Sequence, residues 1–189
     1  MNKKYLLLLV GPSGSGKSTV EELLVDKFGS RASKVVSHTT RAPRPEHKEV
    51  DGVHYHYVSE QFFHDNEDRF VQSVYWYGTF YGSVIEVVEA ADINVIVVEP
   101  TGVTQFEDYY KDSDEVTTIP VYLNCSEETQ RVRMLKRGDT PEEVEKRMTH
   151  DDIRERAKEV DFNLVIDVDH ISEKTATDLV ATFINGWIS

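Results

Sequence analysis

Short apolar runs and amphipathic stretches alternate along this chain. The runs at 6–10, 34–37, 94–98, 118–124 and 163–168 carry few polar residues, whereas 18–28, 83–91, 126–136 and 175–188 place apolar residues at helical spacing. Strands that lack polar alternation are buried on both faces, so the pattern predicts an α/β fold, a parallel sheet with helices on both sides. Ligands of such sheets bind beyond the carboxyl ends of the strands.

Two segments break the alternation. The stretch 37–83 is rich in aromatic residues, among them Tyr55, Tyr57, Tyr75, Trp76, Tyr77 and Tyr81, and period-two patches at 53–58 and 70–77 predict a small antiparallel sheet inserted in the main domain. The stretch 137–147 is charged. Within it Thr140, Pro141 and Glu143 spell a capping box with proline at the first helical position, so a helix starts there.

Composition narrows the class. The 189 residues are 39% hydrophobic and carry 21 Lys plus Arg against 34 Asp plus Glu, a net charge of −13. Such a surface repels nucleic acid and anionic membranes, and neither is expected as a partner. The arginines are grouped, Arg41 with Arg44, and Arg131, Arg133, Arg137 and Arg147 together. On an acidic protein these groups point to small phosphorylated ligands held by bidentate hydrogen bonds. Arg154 and Arg156 read instead as solvated charges pairing with nearby acids. The lone cysteine, Cys125, excludes an internal disulfide and reads as a small core residue. The apolar stretch near the N-terminus is too short for a membrane span and lacks a signal-peptide cleavage site, so a cytoplasmic protein, monomer or homodimer, is expected.

The chemistry begins directly after the first apolar run. Gly11-Pro12-Ser13-Gly14-Ser15-Gly16-Lys17-Ser18 fits the phosphate-binding pattern G-x-x-x-x-G-K-[ST], between a strand and a helix as the pattern requires. The glycines let successive N–H groups turn toward an anion, and the helix N-terminus adds its partial positive charge. Lys17 is expected to reach the β- and γ-phosphates of a nucleoside triphosphate, and the Ser18 hydroxyl to ligand magnesium.

A second constellation, Ser37-His38-Thr39-Thr40-Arg41-Ala42-Pro43-Arg44, puts two guanidinium forks three residues apart beside a stiffening proline. Tyr55 and Tyr81 offer hydroxyls to the same phosphate. These residues, with Gly52-Val53-His54-Tyr55 and Tyr81-Gly82-Ser83, make the chain resemble guanylate kinases from the phosphate loop to about Arg147. The resemblance implies a core (1–36, 84–136 and 148–189), an inserted nucleoside-monophosphate domain (37–83) and a lid (137–147). It implies ATP at Gly11, Ser13, Gly14, Ser15, Gly16, Lys17, Ser18 and Thr19, with Mg2+ at Ser18. The acceptor phosphate falls to Arg41, Arg44, Tyr55 and Tyr81, and the base to Ser37 and Ser83. Lys17, Arg133, Arg137 and Arg147 neutralise the transferring group. The implied reaction is transfer from ATP to GMP or dGMP.

The base-binding positions depart from the family. Glutamate is usual where Gln72 stands, and its carboxylate accepts both guanine donors, whereas an amide offers one acceptor and one donor. That suits uracil, thymine or hypoxanthine, so a deoxypyrimidine monophosphate is the rival acceptor. The family's two aspartates after the 94–98 run are replaced by Val97 and Glu99. The loop through Glu46-His47-Lys48-Glu49 is about two residues longer. A non-catalytic binding module and a sugar-phosphate kinase are the remaining alternatives, opposed by the intact loop and by the Thr39–Arg44 stretch. His54 and His56 share a strand face but lack a third ligand, and read as packed or exposed rather than metal-binding. Asp151, Asp152, Asp167 and Asp169 read as caps or strand ends.

Overall fold

The computed structural model describes residues 3–44, 48–76, 78–88, 90–150 and 152–188. Glu46, His47, Tyr77 and Asp151, singled out above, lie outside them. In chain order the elements are β1 (Lys4–Val10), α1 (Lys17–Phe28), β2 (Ala32–Lys34), β3 (His38–Thr39), β4 (His56–Tyr57), α2 (Glu60–Asp65), β5 (Phe70–Trp76), β6 (Thr79–Val84) and α3 (Ile85–Val88). They continue with β7 (Ile93–Val97), α4 (Pro100–Tyr110), β8 (Val116–Asn124), α5 (Glu127–Lys136), α6 (Pro141–His150), α7 (Ile153–Arg156), β9 (Leu164–Asp167) and α8 (Glu173–Ile188).

Five strands form one parallel sheet in the order β2-β7-β1-β8-β9. Strand β1 sits at its centre, and its side chains alternate between two cores. Leu7 and Leu9 pack with Val20 and Leu24 of α1 and with Ala176, Val180, Ala181 and Ile184 of α8. Leu6, Leu8 and Val10 pack on the opposite side with Val88, Val103, Phe106, Tyr110 and Ile153. Both faces are thereby removed from water, which is why these strands show no polar alternation.

The second sheet, β4-β3-β6-β5, is mixed. β3 pairs antiparallel with β6 but parallel with β4, correcting the expectation of a purely antiparallel sheet. Its aromatic residues build a small core of their own. Phe63 stacks on Phe70 at 4.6 Å and on Phe80 at 5.2 Å, while His38 stacks on Phe62 at 5.1 Å.

Three boundaries differ from the sequence expectation. Of the run at 34–37 only Lys34 belongs to β2, and after the Val35 N–H has donated to Val95 the chain leaves the main sheet for β3. The stretch 83–91 opens as the end of β6 and becomes helical only at Ile85. Helix α4, which follows β7 with Pro100 in its first turn, was not expected at all.

Candidate active site

The phosphate loop connects β1 to α1, and its glycines are demanded by their surroundings. A Cβ on Gly14 would lie 3.1 Å from the Gln130 backbone, with φ already at +80°. A Cβ on Gly11 would lie 2.4 Å from the Leu123 carbonyl oxygen. Gly16, at φ 88°, turns the chain into α1 as its N-cap residue. Lys17 Nζ donates to the carbonyls of Gly11 at 2.6 Å and Pro12 at 2.9 Å, so the ammonium is held over the loop. Ser15 Oγ is buried inside the curl without a hydrogen-bond partner. Ser18 and Thr19 are exposed at the start of the helix, beside Ser13 at the loop's rim.

Helix α5 runs from beneath this loop. Ser126 caps it by accepting from the Thr129 N–H at 3.2 Å, and Asp169 accepts from the Ser126 N–H at 2.8 Å. Gln130, fully buried, supports Gly14 from below. One turn on, Arg133 donates to the carbonyls of Gly14 at 3.3 Å and Val168 at 2.7 Å, clamping the loop to the end of β9. Arg137 follows the last turn and donates through Nε to Asp139, 2.9 Å away. The expected capping box is present: Thr140 N–H donates to Glu143 at 2.7 Å, and Glu143 N–H to Thr140 Oγ1 at 3.3 Å. It starts α6, which carries Arg147. Burial, and then the neighbouring Arg137 guanidinium, push the Arg147 pKa down, so this cation gains from any anion brought beside it.

A cavity of about 280 Å³ lies between the loop, the second sheet and α6. Ser18, Arg44, Tyr55, Arg137 and Arg147 line it together, from four separate parts of the chain. Ser37, Val35 and Val97 form another part of its wall, with Glu21 and Lys34. Gln72, Tyr81, Ser83 and Glu99 do not line it. Ser83 Oγ stands 2.9 Å from Ser37 Oγ, and the Tyr81 ring meets Tyr55 edge-on at 6.0 Å. Gln72 packs over α4, its Cγ 3.5 Å from where a Cβ on Gly102 would stand. Glu99 is ion-paired to Arg156 at 2.8 Å, and Arg156 also holds Asp152 at 2.8 Å.

Sequence reasoning missed the partner of Arg41. Its guanidinium lies over the Tyr55 ring and grips Glu49 with both prongs, at 2.9 Å each. Glu49 also accepts from the Arg44 N–H at 2.7 Å and the Tyr57 hydroxyl at 3.0 Å. Burial opposes ionisation there, but these donors overcome it and hold the Glu49 carboxyl at about 2. Burial pushes the Tyr55 hydroxyl up to about 12, which keeps it a neutral donor. His54 accepts from the Val50 N–H at 3.0 Å while the His56 ring lies tilted against His38 at 4.8 Å. Among the described residues no group of three or more His, Cys, Asp or Glu could hold a metal ion. Nor, among them, is any helix long and apolar enough to cross a membrane.

Known proteins resemble this chain in sequence and fold. The Guanylate kinase family model matches residues 3–185. The guanylate kinase of Mycoplasmopsis pulmonis is 30% identical over 95% of this chain and 93% of its own length. That of Campylobacter jejuni (strain RM1221) is 32% identical over 86% of this chain and 81% of its own. Among solved structures, the guanylate kinase of Anaplasma phagocytophilum shares the fold at 19% identity, with a TM-score of 0.64 over 98% of this chain and 87% of that one. The chain therefore belongs to the guanylate kinase family and is an ATP-dependent nucleoside monophosphate kinase.

Proposed function

We propose that this chain transfers the γ-phosphoryl group of ATP to GMP or dGMP, giving ADP and the guanosine diphosphate. The observation that carries the reading is the convergence of Ser18, Arg44, Tyr55, Arg137 and Arg147 on one cavity beside the phosphate loop. The loop N–H groups and Lys17 hold the donor's β- and γ-phosphates. Arg44 and the neutral Tyr55 hydroxyl grip the acceptor's phosphate, with Arg41 oriented behind them by Glu49. Arg137 at the end of α5 and Arg147 on α6 neutralise charge as the phosphoryl group passes between the two nucleotides. No covalent intermediate is needed, because positioning and electrostatics lower the barrier.

The Ser18 hydroxyl is a hard oxygen donor, exposed at the cavity wall, and suits magnesium. Bound with ATP, the ion would neutralise charge on the β- and γ-oxygens. Movement of α6 over the site, hinged in the link 137–140, would exclude water during transfer. The names of the curated relatives favour guanine over the pyrimidine acceptors that Gln72 brings to mind. The intact loop and arginines oppose a non-catalytic binding module.

The test is ADP release with ATP and GMP, dGMP, dTMP or dUMP as acceptor. GMP and dGMP should give a kcat/KM at least about a hundredfold above the pyrimidines, in line with hydrogen-bond discrimination between bases. Turnover faster with dTMP or dUMP would overturn the guanine reading, and no turnover with any acceptor would overturn the kinase.

A further inference from the structure

Glu21 and Lys34 form a buried ion pair in the cavity wall, Nζ to Oε2 at 3.0 Å, with side chains 4% and 25% exposed. Glu21 lies one turn beyond Ser18 on α1, and Lys34 ends β2. A pair of this kind is weak evidence of stabilisation, because apolar residues of similar volume usually serve the fold as well or better. Burial, countered by the Lys34 ammonium, pushes the Glu21 carboxyl up to about 7. The pair is thus costly where it stands, and it stands where a ligand can reach it.

The cavity has two chemically distinct parts. Arg44, Arg137, Arg147 and Tyr55 suit phosphates, whereas Glu21, Lys34, Ser37, Val35 and Val97 leave room for the nucleoside. Guanine's Watson–Crick edge carries, in order, a carbonyl acceptor, the N1–H donor and the exocyclic amine donor. Lys34 has ammonium donors beyond the one facing Glu21, and the carboxylate has two oxygens that accept. Oε2 faces Lys34 and the carboxylate also takes a backbone hydrogen bond at Val97, which leaves lone pairs and ammonium protons over, so that the pair can offer donor, acceptor, acceptor, the complement of that edge. Gln72 is packed over Gly102, and Val97 carries no polar group where the family has aspartate.

We propose that Glu21 and Lys34 read the acceptor's guanine, Glu21 accepting from N1–H and the exocyclic amine and Lys34 donating to the carbonyl. This rests on the guanine reading of the acceptor site. The arrangement rejects adenine, whose edge runs donor then acceptor, and disfavours hypoxanthine, which lacks the amine.

The test is steady-state kinetics of the full chain with GMP and IMP at saturating ATP. Glu21→Gln should raise KM for GMP about tenfold or more, leave kcat within about threefold, and raise KM for IMP less, so that the GMP-over-IMP preference falls at least about fivefold. The KM for ATP should not move. Lys34→Gln should raise KM for both acceptors together, because both keep the carbonyl. An unchanged GMP-over-IMP ratio in Glu21→Gln would overturn the proposal, as would an effect confined to kcat. If Glu21→Gln does not fold, the same ratio measured for Glu21→Asp, which keeps the charge but withdraws it by one methylene, decides. A wild-type chain that phosphorylates neither nucleotide overturns the kinase reading instead, so the two failures are distinguishable.

Discussion

Glu49 fills both prongs of the Arg41 guanidinium, at 2.9 Å to each carboxylate oxygen, on the wall meant for a phosphate. The same carboxylate takes the Arg44 N–H and the Tyr57 hydroxyl. It therefore ties Arg41, Arg44 and Tyr57 together as an internal anion.

Glu49→Gln should destabilise the chain by about 1–3 kcal/mol at pH 7, the usual worth of hydrogen bonds to a charged group. The folded carboxyl sits at about 2, below its ordinary 4.5. Its contribution is present above pH 4.5 and is lost as pH falls toward 2. Urea unfolding of both proteins at pH 7 and pH 3 checks this: the gap should narrow in acid.

His38 also folds in its unprotonated form, here the neutral one. Burial, then His56 and Arg69, lower its pKa from 6.5 to about 4, and its buried Nδ1 has no hydrogen-bond partner. The unfolded chain takes up a proton first, so stability falls between pH 6.5 and pH 4 and levels off below. His38→Phe, which keeps a ring against Phe62, should flatten that part of the pH profile in thermal melts.

Lys17→Ala should lower kcat at least about a thousandfold, since it removes a charge that follows the phosphoryl group. The thermal midpoint should move by no more than a few degrees, since the bonds to the Gly11 and Pro12 carbonyls lie within the loop itself.

Arg44 and Arg147 should separate kinetically. Arg44→Ala is expected to raise KM for GMP about 10- to 100-fold with a smaller loss in kcat, as befits a ground-state grip on phosphate. Arg147→Ala should chiefly lower kcat, about 100-fold or more, because α6 presents it to the transferring group. A KM-only effect at Arg147 would place it on the acceptor instead.

The parallel sheet and the loop were legible because their signals are local. A run of leucines and a spaced Gly-Lys-Ser declare themselves without reference to the rest of the chain. The capping box at Thr140 was legible for the same reason. Helix α4 was not, since Glu99-Pro100-Thr101-Gly102 reads as a turn until Pro100 is recognised as the first residue of a helix. The acceptor wall was only half legible. Arg41 and Arg44 were found as a pair, but their division of labour depends on Glu49, five residues beyond Arg44 in the sequence. Glu21 was hidden because an acid on a surface-patterned helix gives no sign that the helix has turned it inward, against Lys34 of another element.

Helix α5 has ten residues and is about 15 Å long at 1.5 Å per residue. Gln130 and Arg133 fasten its middle to the phosphate loop, and Arg137 emerges at its C-terminal end into the cavity. It is a strut of set length between donor grip and lid root, so the loop and Arg137 cannot draw together by flexing. In the closure proposed above, reorientation of α6 falls to the bonds around Gly138, whose φ of 105° and open surroundings suit it as the joint.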